Sequence, residues 1–157
     1  MTASVTIRLQ SADFDVAKEI ALLSAGDTSI GAVVSFLGLC RGDEDGRPIK
    51  ALTLEHYPQM AEAEIGRHVE EALARWPLTG VTVIHRFGRI VPGENIVLVL
   101  TASSHRPAAF AAAEFLMDYL KTRAPFWKSE ESAEGTVWVE ARDADDAAAA
   151  RWNRTEI

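Results

Sequence analysis

The spacing of the strand-like segments restricts the fold more than any other feature of the chain. "GVTVIHRFGRI" (80–90) and "NIVLVLTASS" (95–104) are rich in β-branched and apolar residues, and only the turn signal "VPGE" (91–94) joins them. Two strands joined by a turn are the reading there. "SIGAVVSFLGLCR" (29–41) and "IKALTLEHY" (49–57) flank the polar "GDEDGRP" (42–48) in the same manner. They are expected to form a long hairpin with a mobile tip.

Shorter strands are expected at "SVTIRLQ" (4–10) and "TVWVEA" (136–141). Helices are expected over 13–26, with Gly26 as a C-terminal cap, over 58–76, over 107–123 and over 143–152. Pro58 and Pro107 suit first helical turns. Ile65, Val69, Leu73 and Trp76 recur at helical spacing, as do Phe110, Ala113, Met117 and Leu120. Strands and helices mix without strict βαβ alternation. The expectation is one α+β domain over residues 1–157, with a largely antiparallel mixed sheet and packed helices.

Composition narrows the function classes. The chain has 157 residues, 48% of them hydrophobic and 25% charged, as in a soluble globular protein. A formal charge of -7 argues against a nucleic-acid partner, because phosphate backbones need a basic face. A small basic pocket would stand out on such a surface. No apolar run is long enough to span a bilayer, and "MTASVTIRLQ" lacks the pattern of a signal peptide. The lone cysteine, Cys40, excludes an internal disulfide and reads as inert in its apolar strand. A cytoplasmic location is expected. "DEDG" (43–46) lacks a full calcium-loop pattern, and His56, His68 and His85 show no metal-ligand spacing and read as fold residues. No Gly-rich dinucleotide fingerprint, phosphate loop or nucleophile elbow occurs, so no cofactor motif is read.

"MDYLKTRAPFWKSE" (117–130) crowds Lys121, Arg123 and Lys128 around a proline and two large aromatics. Pro125 has no N–H, and its ring collides with the carbonyl four residues back, that of Lys121. The helix must stop before it, leaving Lys121 in the last turn and Lys128 beyond the break. Helix-end lysines are favoured by the dipole by about 0.3–1 kcal/mol each without any further role. Alternatively, burial of Phe126 and Trp127 holds the chain after the break against the body and keeps Lys128 near Lys121. Two neighbouring ammonium groups would then attract an anion or act in proton transfer. "TASSHRPAAF" (101–110) places His105 and Arg106 where a strand meets a helix, a natural anion site, with Ser103 or Ser104 as alternative N-caps. Arg41 ends an apolar strand just before the 42–48 loop.

Together "GAVVSFLGLCRG" (31–42), "ALTLEHYPQM" (51–60), "RWPLTGVTVIHRFGRIVPGE" (75–94), "SSHRPAAF" (103–110), "MDYLKTRAPFWKSE" and "WVEARDADDAAAARW" (138–152) resemble the catalytic, large-subunit family of molybdopterin synthase. The likeness runs from about Gly31 to Trp152 and is most specific in "DYLKTRAPFWK". It implies a hammerhead-like α/β fold and a sulfurtransferase in molybdenum cofactor biosynthesis. That family moves sulfur onto cyclic pyranopterin monophosphate to form a dithiolene. The sulfur comes from the C-terminal thiocarboxylate of a small ubiquitin-like subunit, and two large subunits form the central homodimer of a heterotetramer.

Carried over by motif, Lys121 and Lys128 match the family's two lysines, Arg41 the arginine after the "GAVV" segment, and His105 and Arg106 the His-Arg pair before the long helix. Arg142 is a weaker candidate for the same basic pocket. The resemblance implies Lys121 as main acid/base group, Lys128 as substrate-holding or charge-stabilising group, and His105, Arg106 and Arg41 as anion contacts. The 42–48 loop could close over such a site. The rival readings are a stand-alone phosphate-site enzyme using His105 and a non-catalytic module that binds an anionic tail.

Overall fold

The segment Leu78–Arg86 alternates Val81, Val83 and His85 on one side with Thr82 and Ile84 on the other, and all five are buried. A strand buried on both sides needs cover on both faces of its sheet. The computed structural model, which describes residues 2–139 and 143–153, supplies it. The elements in chain order are β1 (Ser4–Gln10), α1 (Val16–Ser24), β2 (Ala32–Leu39), β3 (Asp43–Glu44), β4 (Arg47–Pro48), β5 (Ala51–His56) and α2 (Pro58–Arg75). They continue with β6 (Leu78–Arg86), β7 (Gly88–Ile90), β8 (Asn95–Ser103), α3 (Arg106–Thr122), β9 (Phe126–Ser132), β10 (Gly135–Val139), α4 (Asp143–Ala150) and a short 3-10 turn, Arg151–Asn153.

Two four-stranded sheets form, ordered β1-β6-β8-β2 and β10-β9-β5-β7, with β3 and β4 in a ribbon of their own. β1 runs parallel to β6, and the other pairings among the described residues are antiparallel. The α+β class and the largely antiparallel sheet are as expected. On the Val81 face, Ile65, Val69 and Ala72 of α2 and Ala112, Phe115 and Leu116 of α3 pack against Val81, Val83, Val97 and Val99. On the Ile84 face, Leu23 of α1 packs against Ile84, Leu98 and Leu100. Each fully buried Val, Leu, Ile or Phe contributes roughly 1.5–3 kcal/mol, so these two layers seat the helices far more firmly than helix propensity alone. Asp15 caps α1 by accepting from the Lys18 N–H at 3.1 Å, and Gly26 follows the helix with φ of 73°.

Three expectations are corrected, and one unforeseen strand appears. The segments 29–41 and 49–57 do not pair: β2 lies against β8, whereas β5 lies between β9 and β7 in the other sheet. Asp45 and Gly46, with φ of 52° and 81°, instead close a tight turn within β3–β4, so the hairpin is confined to the loop. The segment 80–90 is not one strand. Phe87 interrupts it and Gly88 turns with φ of 87°, sending β7 into the second sheet. Phe110 is 61% exposed rather than part of the buried stripe, which runs through Ala109, Ala112, Ala113, Leu116 and Met117. Finally, the chain after Pro125 is a full strand, β9, paired on both sides by β5 and β10.

Candidate active site

The register of the first sheet decides which basic residues share an end of the molecule. His85, near the end of β6, pairs with Val97 near the start of β8, and Leu39 at the end of β2 pairs with Asn95. Arg41 follows two residues later, so it belongs to this end. At the other end Ser103 closes β8, paired with Ala32 and Leu78, and His105 and Arg106 follow it into α3.

α3 then runs back to the first end. Its C-cap is Arg123, whose N–H donates to the Tyr119 carbonyl at 2.8 Å, and Lys121 sits in the last turn. The helix thus stops before Pro125, as its missing N–H requires. The Phe126 N–H donates to the Ala124 carbonyl at 2.7 Å, and β9 begins at once.

A run of aromatic rings receives this break. The Phe126 ring stacks on His85, with centroids 4.0 Å apart and planes 17° apart, and on His56 at 5.6 Å and 24°. Phe87 lies 4.6 Å from His56. Trp127 is 41% exposed and meets Tyr57 edge-on at 4.6 Å, so of the two aromatics only Phe126 anchors the chain inward. His85 Nδ1 lies 2.8 Å from the Arg86 carbonyl and therefore donates to it. Burial pushes the His85 imidazole down to about 4, and the nearby Lys121 charge and His56 act in the same direction. His56 is also lowered, by burial. The His85 ring is therefore uncharged near neutral pH.

Lys128 is two residues beyond Phe126 on the same face of β9. Its Nζ lies 4.0 Å from Oε1 of the buried Glu130. Burial raises the Cys40 thiol, with Glu94 and Glu130 adding to the rise and Lys128 and Arg41 opposing it. Lys128 and Arg41 both lie near enough to Cys40 for their charges to act on its thiol. Arg41 pairs with Glu44 at 2.5 Å on the surface, an exposed contact worth at most about 1 kcal/mol. The Arg86 guanidinium is buried and donates to the carbonyls of Ser11 at 3.0 and 3.1 Å and of Asn95 at 2.8 Å. It ties together the ends of β1, β6 and β8 beneath the site.

The candidates therefore divide. Lys121 and Lys128 flank the His85–Phe126 contact along the chain, and Arg41 lies at the same end of the first sheet. His105 and Arg106 do not join them: Arg106 lies 15 residues before Lys121 along α3, about 22 Å at 1.5 Å per residue. His105 is the N-cap without a side-chain cap bond, while Ser103 Oγ donates to Pro77 and Ser104 Oγ to Ser29. Arg142 lies outside the described residues. Arg123 turns to a separate cavity of about 450 Å³ between α2, α3 and the Arg151–Asn153 turn, which neither lysine lines. Sequence reasoning missed His85, His56 and Glu130. A detectable signal existed for His85, a polar residue in phase with the apolar Val81 and Val83.

Residues 9–123 match the family model described as "MoaE protein". The chain is 64% identical over 149 residues to the "Molybdopterin synthase catalytic subunit" of Mesorhizobium japonicum, covering 94% of this chain and 92% of that protein. The solved structure of the "Molybdopterin biosynthesis MoaE protein" from Burkholderia ambifaria matches with a TM-score of 0.81 and 47% identity, over 96% of this chain and 99% of that one. The "Protein-protein complex of subunit 1 and 2 of Molybdopterin-converting factor" from Helicobacter pylori shares the fold, with a TM-score of 0.70 at 20% identity over 88% and 91% of the chains. By sequence and by fold, the chain belongs to the MoaE protein family.

Proposed function

We propose that this chain is the catalytic subunit of a molybdopterin synthase, a cytoplasmic sulfurtransferase that builds the dithiolene on cyclic pyranopterin monophosphate. The observation that carries this reading is the break at Pro125, which leaves Lys121 and Lys128 on either side of the contact between Phe126 and the buried His85, with Arg41 at the same end of the first sheet. The substrate carries a phosphate, and the incoming tail of a small ubiquitin-like subunit carries a thiocarboxylate. Both anions suit a basic pocket on an otherwise acidic protein. As each carbon–sulfur bond forms, Lys121 moves the proton that lets substrate oxygen depart, and Lys128 offsets the developing negative charge. Arg41 exchanges Glu44 for a substrate oxygen. The sulfur comes from the partner, so the chain needs no cofactor of its own.

A small-subunit partner is supported by the complex of two subunits recorded for the Helicobacter pylori protein. Self-association is supported by the two basic ends of α3: one copy cannot close its own pocket with His105 and Arg106, but a second copy packed across can supply them. Phe36 and Leu39 on the edge strand β2, and Phe110 on the neighbouring α3, offer exposed apolar surface for that contact. Arg142 is assigned to the same pocket from its motif alone.

Reconstitution tests the reading. The purified chain is mixed with a thiocarboxylated small subunit and cyclic pyranopterin monophosphate, and dithiolene product is assayed. Wild type should turn over, while Lys121→Ala should lose at least ~100-fold in rate with small-subunit affinity intact. Tight complex formation without product from wild type would instead identify a module that only binds an anionic tail.

A further inference from the structure

Two histidines next to the lysines have no part in the proton transfers proposed above, and their geometry has another use. His85 is buried, and its ring cannot rotate freely because Nδ1 is tied to the Arg86 carbonyl at 2.8 Å. Arg86 is fixed in turn by its bonds to Ser11 and Asn95. A pinned flat ring is thus presented at the end of β6, and Phe126 lies almost parallel on it. His56, from the second sheet, stacks on the same phenyl ring and is itself backed by Phe87. One side chain from the post-proline strand is therefore gripped by residues from both sheets. Phe126 and Lys128 emerge on the same strand face, so the seat of the phenyl ring sets the direction of the ammonium group two residues on. Stacked rings hold such a seat with a preferred geometry that an aliphatic pair lacks.

We propose that His85 and His56 are positioning residues, which seat Phe126 between the two sheets and thereby set the placement of Lys128 relative to Lys121. His85 acts as a ring held by its backbone hydrogen bond. His56 acts as a flat surface only. The inference rests on the lysine end being the reaction site. Proton transfer and charge stabilisation demand placement within a fraction of an ångström, so a loosened seat costs rate before it costs fold.

The test uses the full chain in the reconstituted system and compares His56→Phe with His56→Leu, and Phe126→Tyr with Phe126→Leu. The aromatic variants should keep turnover within about twofold of wild type. The leucine variants should lose roughly 10- to 100-fold in kcat, with KM and small-subunit affinity unchanged. His85→Phe, which keeps a ring but loses the bond to Arg86, should fall between them. Leucine closely matches the volume of the imidazole, which guards against collapse of the fold, and thermal melts of each variant record any loss. Equal turnover by the Phe and Leu variants at position 56, in a preparation where Lys121→Ala is dead, would overturn the proposal. A fall in kcat matched by equal losses in melting temperature and partner affinity would also overturn it, since that is the pattern of a merely structural role. If wild type makes no product, the proposed activity fails instead.

Discussion

His85 shows how one side chain can be legible by position and opaque by role. Its phase with Val81 and Val83 marks it as inward-facing, and nothing local says what it meets there. Phe126, its stacking partner, lies 41 residues later in the chain. Burial that lowers an imidazole to about 4 has a thermodynamic consequence. Between that value and the ordinary histidine range near 6.5, the unfolded chain binds a proton that the native chain refuses, so stability rises with pH across the window and is lost on acidification. His56 and His68, both lowered chiefly by burial, act in the same direction. Denaturant titrations from pH 7 to pH 4 should show stability falling by on the order of 3 kcal/mol from His85 alone. His85→Gln should flatten that slope even though it is less stable at neutral pH. Parallel slopes in the two proteins would show that other groups govern the acid transition.

At the level of elements, proline was the most readable signal and glycine the least. Pro125 stops α3 at Thr122, because a missing N–H and a steric clash act whatever the surroundings. Gly88 was equally decisive, since β6 and β7 part company there, but a glycine inside an apolar run announces only freedom, not direction. β9 was unreadable for a different reason. "FWKSEES" has four charged or polar residues with weak strand propensity at its centre, and it is a strand because β5 and β10 pair with it on both sides. The mistaken pairing of 29–41 with 49–57 follows from judging strands by adjacency in sequence. The Asp45–Gly46 turn absorbs the hairpin signal locally, and the long strands choose their partners by burial. Pro125→Ala tests the element that aims the lysines. It should lower stability by only about 0.4–1 kcal/mol, through the extra freedom of the unfolded chain. Turnover in the reconstituted system should drop by roughly 10-fold, because the register between Lys121 and Phe126 is no longer enforced.

On the scale of the molecule, the length of α3 is the dimension that matters. About 22 Å of helix separates Arg106 from Lys121, so the motifs that look like one basic pocket in sequence stand at the two ends of one helix. Mixing tests how they combine. Lys121→Ala and Arg106→Ala copies, each inactive alone, should regain up to about a quarter of wild-type activity when co-refolded, because mixed dimers contain one intact pocket. No recovery would show that the two ends of α3 do not combine across a dimer, and full activity of Arg106→Ala alone would place that residue outside the reaction. Cys40 sits beneath the lysine end, buried, with its thiol raised above the ordinary range, and the chain contains no second cysteine. A thiolate there would be a thief, able to attack the acyl carbon of an incoming thiocarboxylate, form a thioester and expel the sulfur as hydrosulfide. Held as a protonated thiol against the Arg41 and Ile90 carbonyls, it is a poor nucleophile. Under the proposed function, sulfur brought to this surface then has two destinations, the substrate or water, and the fidelity of the transfer is decided by how well the pocket excludes the second.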